Sequence, residues 1–129
     1  PTYHFFYMVK PHQDATALTL NVDCEPYTVG DQSLPSVSAS ASKSASGEVL
    51  LTLTNLHPSK AFTLDCELAD MTVNSVDGTI LVGDAINAFN AFDNPTRVQP
   101  ADYSGANMQG GGKLQIELPA ASVVALTLK

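Results

Sequence analysis

The amino-acid sequence predicts an all-β fold, an antiparallel β-sandwich of about eight strands with a jelly-roll-like arrangement. Three observations predict it. Apolar and polar residues alternate with a period of two in several segments, which gives each strand one core face and one solvent face. Short turn-rich stretches separate these segments, as in stacked antiparallel sheets. The chain has 129 residues, 44% of them hydrophobic and 15% charged, which suffices for one domain with its own core.

The segment from Tyr3 to Val9 departs from this alternation because it is apolar on every side. Neither face suits water, so we expect it to be buried against a larger body; a fully buried first strand is the alternative. The chain opens with Pro1 and shows no signal-peptide pattern, so we expect a piece of a longer polypeptide. The residues expected to pack on the larger body are Tyr3, Phe5, Phe6, Tyr7 and Met8.

The remaining elements follow from the alternation. Strands are predicted at residues 17–24, 49–53, 61–68, 113–118 and 124–128. A weaker strand is predicted at 35–43, where serines alternate with small apolar residues. Another is predicted at 71–82, broken by a turn at Asp77-Gly78. The glycines at 110–112 predict a loop, because three glycines lose too much backbone entropy inside a strand.

Charge and composition exclude several function classes. The formal charge is −7, with five lysines and one arginine, so nothing resembles a basic stripe that would neutralise a phosphate backbone or an anionic membrane. We therefore expect neither a nucleic acid nor a membrane as partner. Metal ligation is not expected, because His4, His12 and His57 lack ligand spacing and residues 84–93 lack the order of a calcium loop. No cofactor is expected either.

Catalytic residues are not predicted in this chain. The four glutamates lie on predicted solvent faces or turn edges, where nothing would raise a carboxyl pKa as a general acid requires. A Gly-x-Ser-x-Gly nucleophile elbow is absent. Cys24 and Cys66 share the core-facing phase of their predicted strands, so they are either two free thiols, the favoured interpretation, or a disulfide across the core. The cysteine count is compatible with reducing and oxidising compartments alike, and the sequence gives no localisation.

Residues 80–100 fit neither alternation nor a short turn. Asn87, Asn90 and Asn94 can bond the backbone of an irregular segment, and we expect Phe89 and Phe92 to anchor it as an ordered loop. The functional alternative is a loop that docks on another domain or contacts a sugar, since long ordered loops often carry function.

This loop carries a resemblance to a known family. The pattern Leu-x-Gly-Asp-x-x-Asn-Ala-x-Asn-x-Phe-x-x-Pro-x-x-Val-x-Pro, matched here from Leu81 to Pro100, resembles a signature of the C-terminal domain of family 51 α-L-arabinofuranosidases. Ala91 and Asp93 replace an expected Thr and Glu, and Pro11 interrupts the entry helix. Further similarity covers Pro1-Thr2-Tyr3-His4, Phe6, Met8, Lys10, His12-Gln13, Leu53-x-Asn55-Leu56 and Leu118-Pro119-x-x-Ser122-Val123.

The resemblance implies a division of the chain and a parent enzyme. Residues 1–13 would be the end of a catalytic-barrel helix with its linker, and residues 14–129 the C-terminal β-sandwich. The parent would remove non-reducing α-L-arabinofuranosyl residues from arabinan or arabinoxylan with retention of configuration. Its catalytic glutamates would lie in a (β/α)₈ barrel, which needs ~250 residues and does not fit here. The fragment alone is therefore expected to be inactive.

Three roles remain open for the domain. It packs on and stabilises the barrel, it is a carbohydrate-binding module, or it lends a loop to a substrate subsite. The second role needs exposed aromatic platforms, for which the candidates are Tyr27, Phe89, Phe92 and Tyr103, since the chain has no Trp. For the third, Asn87 and Asn90 are the residues to suspect. The implied partners are the barrel of the same polypeptide, arabinose-containing polysaccharide bound through the parent, and, as a further option, a homo-oligomer of the parent.

Overall fold

The computed structural model describes residues 1–129, which form one α-helix, one 3₁₀ turn and eleven strands. The helix is α1 (Thr2–Val9), and the 3₁₀ turn (Lys10–His12) follows it directly. The strands are β1 (Thr16–Ala17), β2 (Pro26–Val29), β3 (Gln32–Pro35), β4 (Val37–Lys43), β5 (Val49–Asn55), β6 (Phe62–Glu67), β7 (Val76–Val82), β8 (Ala101–Asp102), β9 (Ala106–Gly110), β10 (Lys113–Leu118) and β11 (Ser122–Leu128).

Two antiparallel sheets form a sandwich, as the alternation predicted. The larger sheet has the order β1-β4-β5-β11-β7-β8 and the smaller has the order β6-β10-β9. A third ribbon, β2-β3, belongs to neither sheet. Apolar side chains of every second position in both sheets meet between them. The buried members of this core are Val37, Val49, Leu51, Leu53, Ile80, Leu114, Ile116, Leu118, Val124, Leu126 and Leu128.

The outer face of the larger sheet is also covered. Leu50, Leu81 and Ala125 point away from the sandwich core and pack with Met8 of α1 and with Val98. The expectation of one solvent-facing side for each strand is therefore wrong for β5, in which six of the seven residues are buried. The physical reason is that the helix and the loop after β7 shield this face.

The first segment is a helix that ends at Val9. A helix runs easily through residues 2–9, which contain neither Gly nor Pro, whereas Pro11 cannot donate the backbone hydrogen bond that would extend it. The helix is eight residues long, and no helix of the chain combines the length and apolar character needed to cross a membrane.

Two predicted elements are wrong. The strand expected at 17–24 is limited to Thr16–Ala17, and residues 18–25 pair with no sheet beyond the Leu18 amide, which donates to the Ala41 carbonyl. The turn expected at Asp77-Gly78 does not exist, since β7 runs through both residues in unbroken register with β11, while residues 71–75 are not in a strand.

Gly78 is there for close packing. A Cβ at this position would lie 2.7 Å from the Tyr103 carbonyl oxygen and 2.8 Å from the Tyr103 ring, so the dipeptide marks a close approach and not a turn. The loop predicted at 110–112 is confirmed for Gly111 and Gly112 and wrong for Gly110, which ends β9 and pairs with Lys113; all three residues have positive φ.

Candidate functional site

The candidate site is an end of the sandwich with the surface of α1 that adjoins it. Strand register defines this end, because Val37, Asn55, Ser122 and Val82 lie side by side across four neighbouring strands. Pro1 lines a cavity of about 290 Å³ with residues of this end, including Leu56 and Ala121. The start of α1 and the loop after β7 therefore belong to the same end of the molecule.

Helix α1 divides the five residues expected to pack on a larger body. Phe5 and Met8, three residues apart, face the domain's own sheet, and Met8 is only 7% exposed. Tyr3, Phe6 and Tyr7, at spacing i, i+3 and i+4, face outward and are 64–75% exposed. This domain itself covers most of Met8 and part of Phe5, so Tyr3, Phe6 and Tyr7 are the members of the predicted set with the most surface left for a larger body.

The outward face of α1 is a flat aromatic surface. The rings of Tyr3 and Tyr7 stack with a centroid distance of 6.4 Å and an interplanar angle of 24°. Large aromatic side chains that are this exposed on a short helix mark a surface for another apolar body.

The loop of residues 83–100 is held by its polar groups. The Asn90 side chain acts as a backbone mimic, because its Nδ2 donates to the Val98 carbonyl at 2.9 Å and its Oδ1 accepts from the Val98 amide at 2.7 Å. Arg97 donates from Nε and a terminal nitrogen to the two Asp84 carboxylate oxygens, both at 3.1 Å. These hydrogen bonds, the attraction of the guanidinium and backbone hydrogen bonds lower the pKa of Asp84, against a smaller opposing effect of desolvation.

The aromatic residues of the loop do not anchor it, contrary to the expectation for Phe89 and Phe92. Phe89 is 61% exposed and Phe92 is fully exposed, as is much of Ile86. The apolar anchors are instead Val98, which is buried, and Ala88, which packs beside it. Ala88 lies directly against Gly83, since a Cβ at position 83 would be 2.8 Å from the Ala88 Cβ. Asn87 and Asn94 are exposed, and the backbones of Asn94 and Ala91 pair with each other.

The side chain of Asn55, at the same end, is a hydrogen-bond hub that the sequence did not predict. Asn55 is 2% exposed, and its Nδ2 lies within hydrogen-bond distance of the carbonyls of Lys60, Leu118 and Pro119. Its Oδ1 accepts from the His57 amide. The Ser122 hydroxyl donates to the same Pro119 carbonyl at 2.7 Å. Two separate segments of the family pattern, around Asn55 and around Pro119, therefore meet in space.

His12 fastens the end of the α1 region to the larger sheet. Its Nδ1 lies 2.6 Å from the Ser42 hydroxyl and its Nε2 3.0 Å from the Thr52 hydroxyl, with both hydroxyls buried on the outer sheet face. Desolvation lowers the pKa of His12 below its ordinary value of 6.5. This contact ties residues 10–12, placed by the sequence in the linker, to the sandwich.

The groups considered for catalysis and metal binding are dispersed. All four glutamates, Glu25, Glu48, Glu67 and Glu117, are exposed, as expected. No three His, Cys, Asp or Glu residues are grouped so that they could hold a metal ion. Cys24 and Cys66 are free thiols that pack against the core, and burial, with the neighbouring Glu67 charge, raises the pKa of Cys66.

The β2-β3 hairpin is a second feature that the sequence interpretation missed. Its signal was Gly30-Asp31 between Val29 and Gln32, a two-residue turn in which Gly30 has φ of 60°. Tyr27, a candidate sugar platform, is half-buried against the His57 ring at 4.8 Å. Tyr103 is also half-buried, and its hydroxyl donates to the Glu117 carbonyl.

Comparison with known proteins identifies the domain. Residues 1–122 match the family model described as the alpha-L-arabinofuranosidase C-terminal domain. An intracellular exo-alpha-L-arabinofuranosidase of Bacteroides ovatus is 35% identical over the whole chain, which spans 25% of that protein. The structure is similar to that of the GH51 arabinofuranosidase of Xanthomonas axonopodis pv. citri, with a TM-score of 0.95 at 39% identity over the whole chain and 26% of that protein.

A more distant relative shares the fold. The family 51 α-L-arabinofuranosidase of Bifidobacterium longum gives a TM-score of 0.71 at 18% identity, over 83% of this chain and 21% of that protein. The chain spans about a quarter of the length of these relatives. The family match over residues 1–122 and the two relatives at 35% and 39% identity show that the chain belongs to the C-terminal domains of GH51 α-L-arabinofuranosidases.

Proposed function

We propose that this domain is a non-catalytic part of an α-L-arabinofuranosidase and that it stabilises the catalytic barrel of the same polypeptide. The single observation that carries this proposal is the outward aromatic face of α1, formed by Tyr3, Phe6 and Tyr7. In this proposal residues 1–13 are the end of a barrel helix and linker, and residues 14–129 are the sandwich.

The exposed area of the chain supports an interface. A free globular protein of 13.6 kDa has an accessible surface of roughly 6,600 Å² by size scaling, whereas this chain has 8,214 Å². The excess is larger than the ~800 Å² that one partner buries in a standard protein interface. Ile86, Phe89 and Phe92 extend the apolar surface from the helix onto the loop of residues 83–100.

The absence of paired buried carboxyl groups supports the non-catalytic role. Glycoside hydrolysis with retention needs two carboxyl groups about 5–5.5 Å apart, one of them with a raised pKa. The glutamates of this chain are exposed, and the one carboxyl whose pKa shifts, that of Asp84, is shifted downward by Arg97. The parent's chemistry, removal of α-L-arabinofuranosyl residues, is assigned to residues outside this chain.

The first test is hydrolysis of a chromogenic α-L-arabinofuranoside by residues 1–129 beside the intact parent. We expect turnover by the parent alone. Retention of residues 1–129 on arabinan would favour a binding module instead, and turnover by these residues would overturn the placement of the catalytic groups.

The second test addresses the aromatic face in the parent. Tyr3→Ser with Phe6→Ser should lower the temperature of half-inactivation by about 5 °C with kcat nearly unchanged, because only the interface loses apolar contact. The matched control is Asn107→Ser with Gln109→Ser on β9, where both residues are exposed. An equal decrease in the temperature of half-inactivation for the two double variants would contradict the proposal.

A loop that reaches the catalytic cleft is the second candidate, favoured by the full exposure of Phe92 and the exposure of Asn87. Asn87→Ala should then change substrate preference in the parent without changing stability. Unchanged preference would leave the loop a docking element only.

A further inference from the structure

One face of the β2-β3 hairpin carries Tyr27, Val29 and Leu34, since Leu34 pairs with Tyr27 and Val29 follows Tyr27 by two positions. Tyr27 contacts the His57 ring of the domain, whereas Val29 and Leu34 are mostly exposed. Val29 is 60% exposed and Leu34 is 58% exposed. On the opposite face the hydroxyls of Thr28 and Ser33 lie 3.2 Å apart. The hairpin is therefore amphipathic, yet Val29 and Leu34 on its apolar face meet water.

The hairpin has little support of its own. It pairs with neither sheet, and a lone two-stranded ribbon is marginally stable in water. Its base is fixed by the Tyr27–His57 ring contact and by the salt bridge between Glu25 and Lys60. Nothing comparable holds the tip around Gly30 and Asp31, which are both exposed.

The hairpin lies at the end of the sandwich that carries the start of α1. Pro35 ends β3, and Ser36 links it to Val37, which pairs with Asn55. The Ser36 carbonyl accepts from the Leu56 amide at 2.8 Å, and Leu56 lines the cavity with Pro1. In this family the domain is C-terminal and a quarter of the whole, so the rest of the polypeptide meets the domain at α1.

We infer that the apolar face of the β2-β3 hairpin docks on the catalytic domain of the parent polypeptide. The inference rests on the proposed function, because it extends the proposed interface from α1 and the loop of residues 83–100 to the hairpin. Two features select this occupant: the shared end of the molecule and the excess of exposed area over a free globular protein. The surface it meets is expected to be apolar, to match Val29 and Leu34.

Amide hydrogen exchange in the intact parent tests the inference. The hairpin amides should be protected in the parent, and Val29→Ser with Leu34→Ser should raise their exchange about tenfold by releasing the tip. The matched control is Thr28→Ala with Ser33→Ala on the opposite face, which should leave the exchange nearly unchanged. Both double variants change strand propensity in the same ribbon. A difference between their amide exchange rates therefore shows which face of the hairpin is docked.

The outcomes separate the inference from the proposed function. Exchange of the hairpin as fast as in an exposed loop, with slow exchange in α1, would overturn the inference and leave the proposed function standing. Fast amide exchange in the hairpin and in α1 would overturn the inference and the proposed function together. Hairpin protection that disappears on dilution to the monomeric parent would assign the face to a second copy and overturn the inference.

Discussion

Asn55 shows how much of this end of the domain depends on one side chain. Its carboxamide connects β5 with the end of β10 at the Leu118 carbonyl, and with the Lys60 and Pro119 carbonyls and the His57 amide, which lie outside the strands. Asn55→Ala leaves these buried groups without partners and should lower the free energy of unfolding by about 3 kcal/mol. Chemical denaturation measures this. Asn107→Ala, at an exposed position of β9, should change the free energy of unfolding by less than about 0.5 kcal/mol. Similar decreases for both variants would contradict the structural role of Asn55.

His12 gives the domain a pH dependence of defined sign. Because burial lowers the pKa of His12 in the folded state, the neutral ring is favoured there, whereas the unfolded chain titrates near 6.5. The stabilisation is complete above pH 6.5 and is lost as the pH falls from 6.5 toward the lower folded-state value. Unfolding free energies at pH 7.5 and 5.5 should therefore differ less in His12→Gln than in the natural sequence. If the unfolding free energy changes equally between pH 7.5 and 5.5 in His12→Gln and in the natural sequence, His12 does not have this role.

Sequence reasoning at the residue scale succeeded where a rule of charge or polarity applied. The four glutamates were correctly placed in solvent, because Glu67 and Glu117 oppose the apolar positions of their strands and Glu25 and Glu48 lie at the edges of turns. The Asn55 hub was not predicted, since an Asn inside an apolar strand gives no local sign of partners more than 60 residues away at Leu118 and Pro119. The orientation of Phe89 and Phe92 was wrong because composition does not show which face of a loop is covered.

At the element scale the loop of residues 83–100 is defined by its internal bonds. Asn90 satisfies both backbone groups of Val98, so Asn90→Ala should cost about 2 kcal/mol of stability. Asn87→Ala is the matched control, because Asn87 is exposed, and should cost less than about 0.5 kcal/mol. Thermal unfolding of both variants checks this. A larger loss for Asn87→Ala would show that the two roles are exchanged.

Strand prediction failed where an alternating pattern lacked a partner. Residues 18–25 alternate as regularly as β6, and Leu18 and Cys24 do pack on the core, yet the segment has no ladder and Leu20 and Val22 are partly exposed. Alternation reports which side chains face the core, whereas a strand also needs a neighbouring backbone to bond. Conversely, Asp77-Gly78 is typical of a two-residue turn, but β7 continues through it and Tyr103 packs against Gly78.

At the scale of the whole molecule the sequence predicted the sandwich and its main core. Each of the strands that supply this core, β4, β5, β6, β7, β10 and β11, overlaps a segment marked by alternation. The second apolar layer, outside the larger sheet, was not predicted, because β5 carries apolar residues at both phases and only the folded helix shows what covers Leu50.

The position of β11 has a consequence for how the domain is made. This last strand in sequence is inserted between β5 and β7 and pairs with each over seven residues. During synthesis β5 and β7 leave the ribosome first and lack their common neighbour until residues 122–128 emerge. The larger sheet therefore closes only after the rest of the domain has been translated, a late, long-range step. Until then, the edges of β5 and β7 that β11 will occupy have unpaired backbone groups, and we expect a chaperone to bind there.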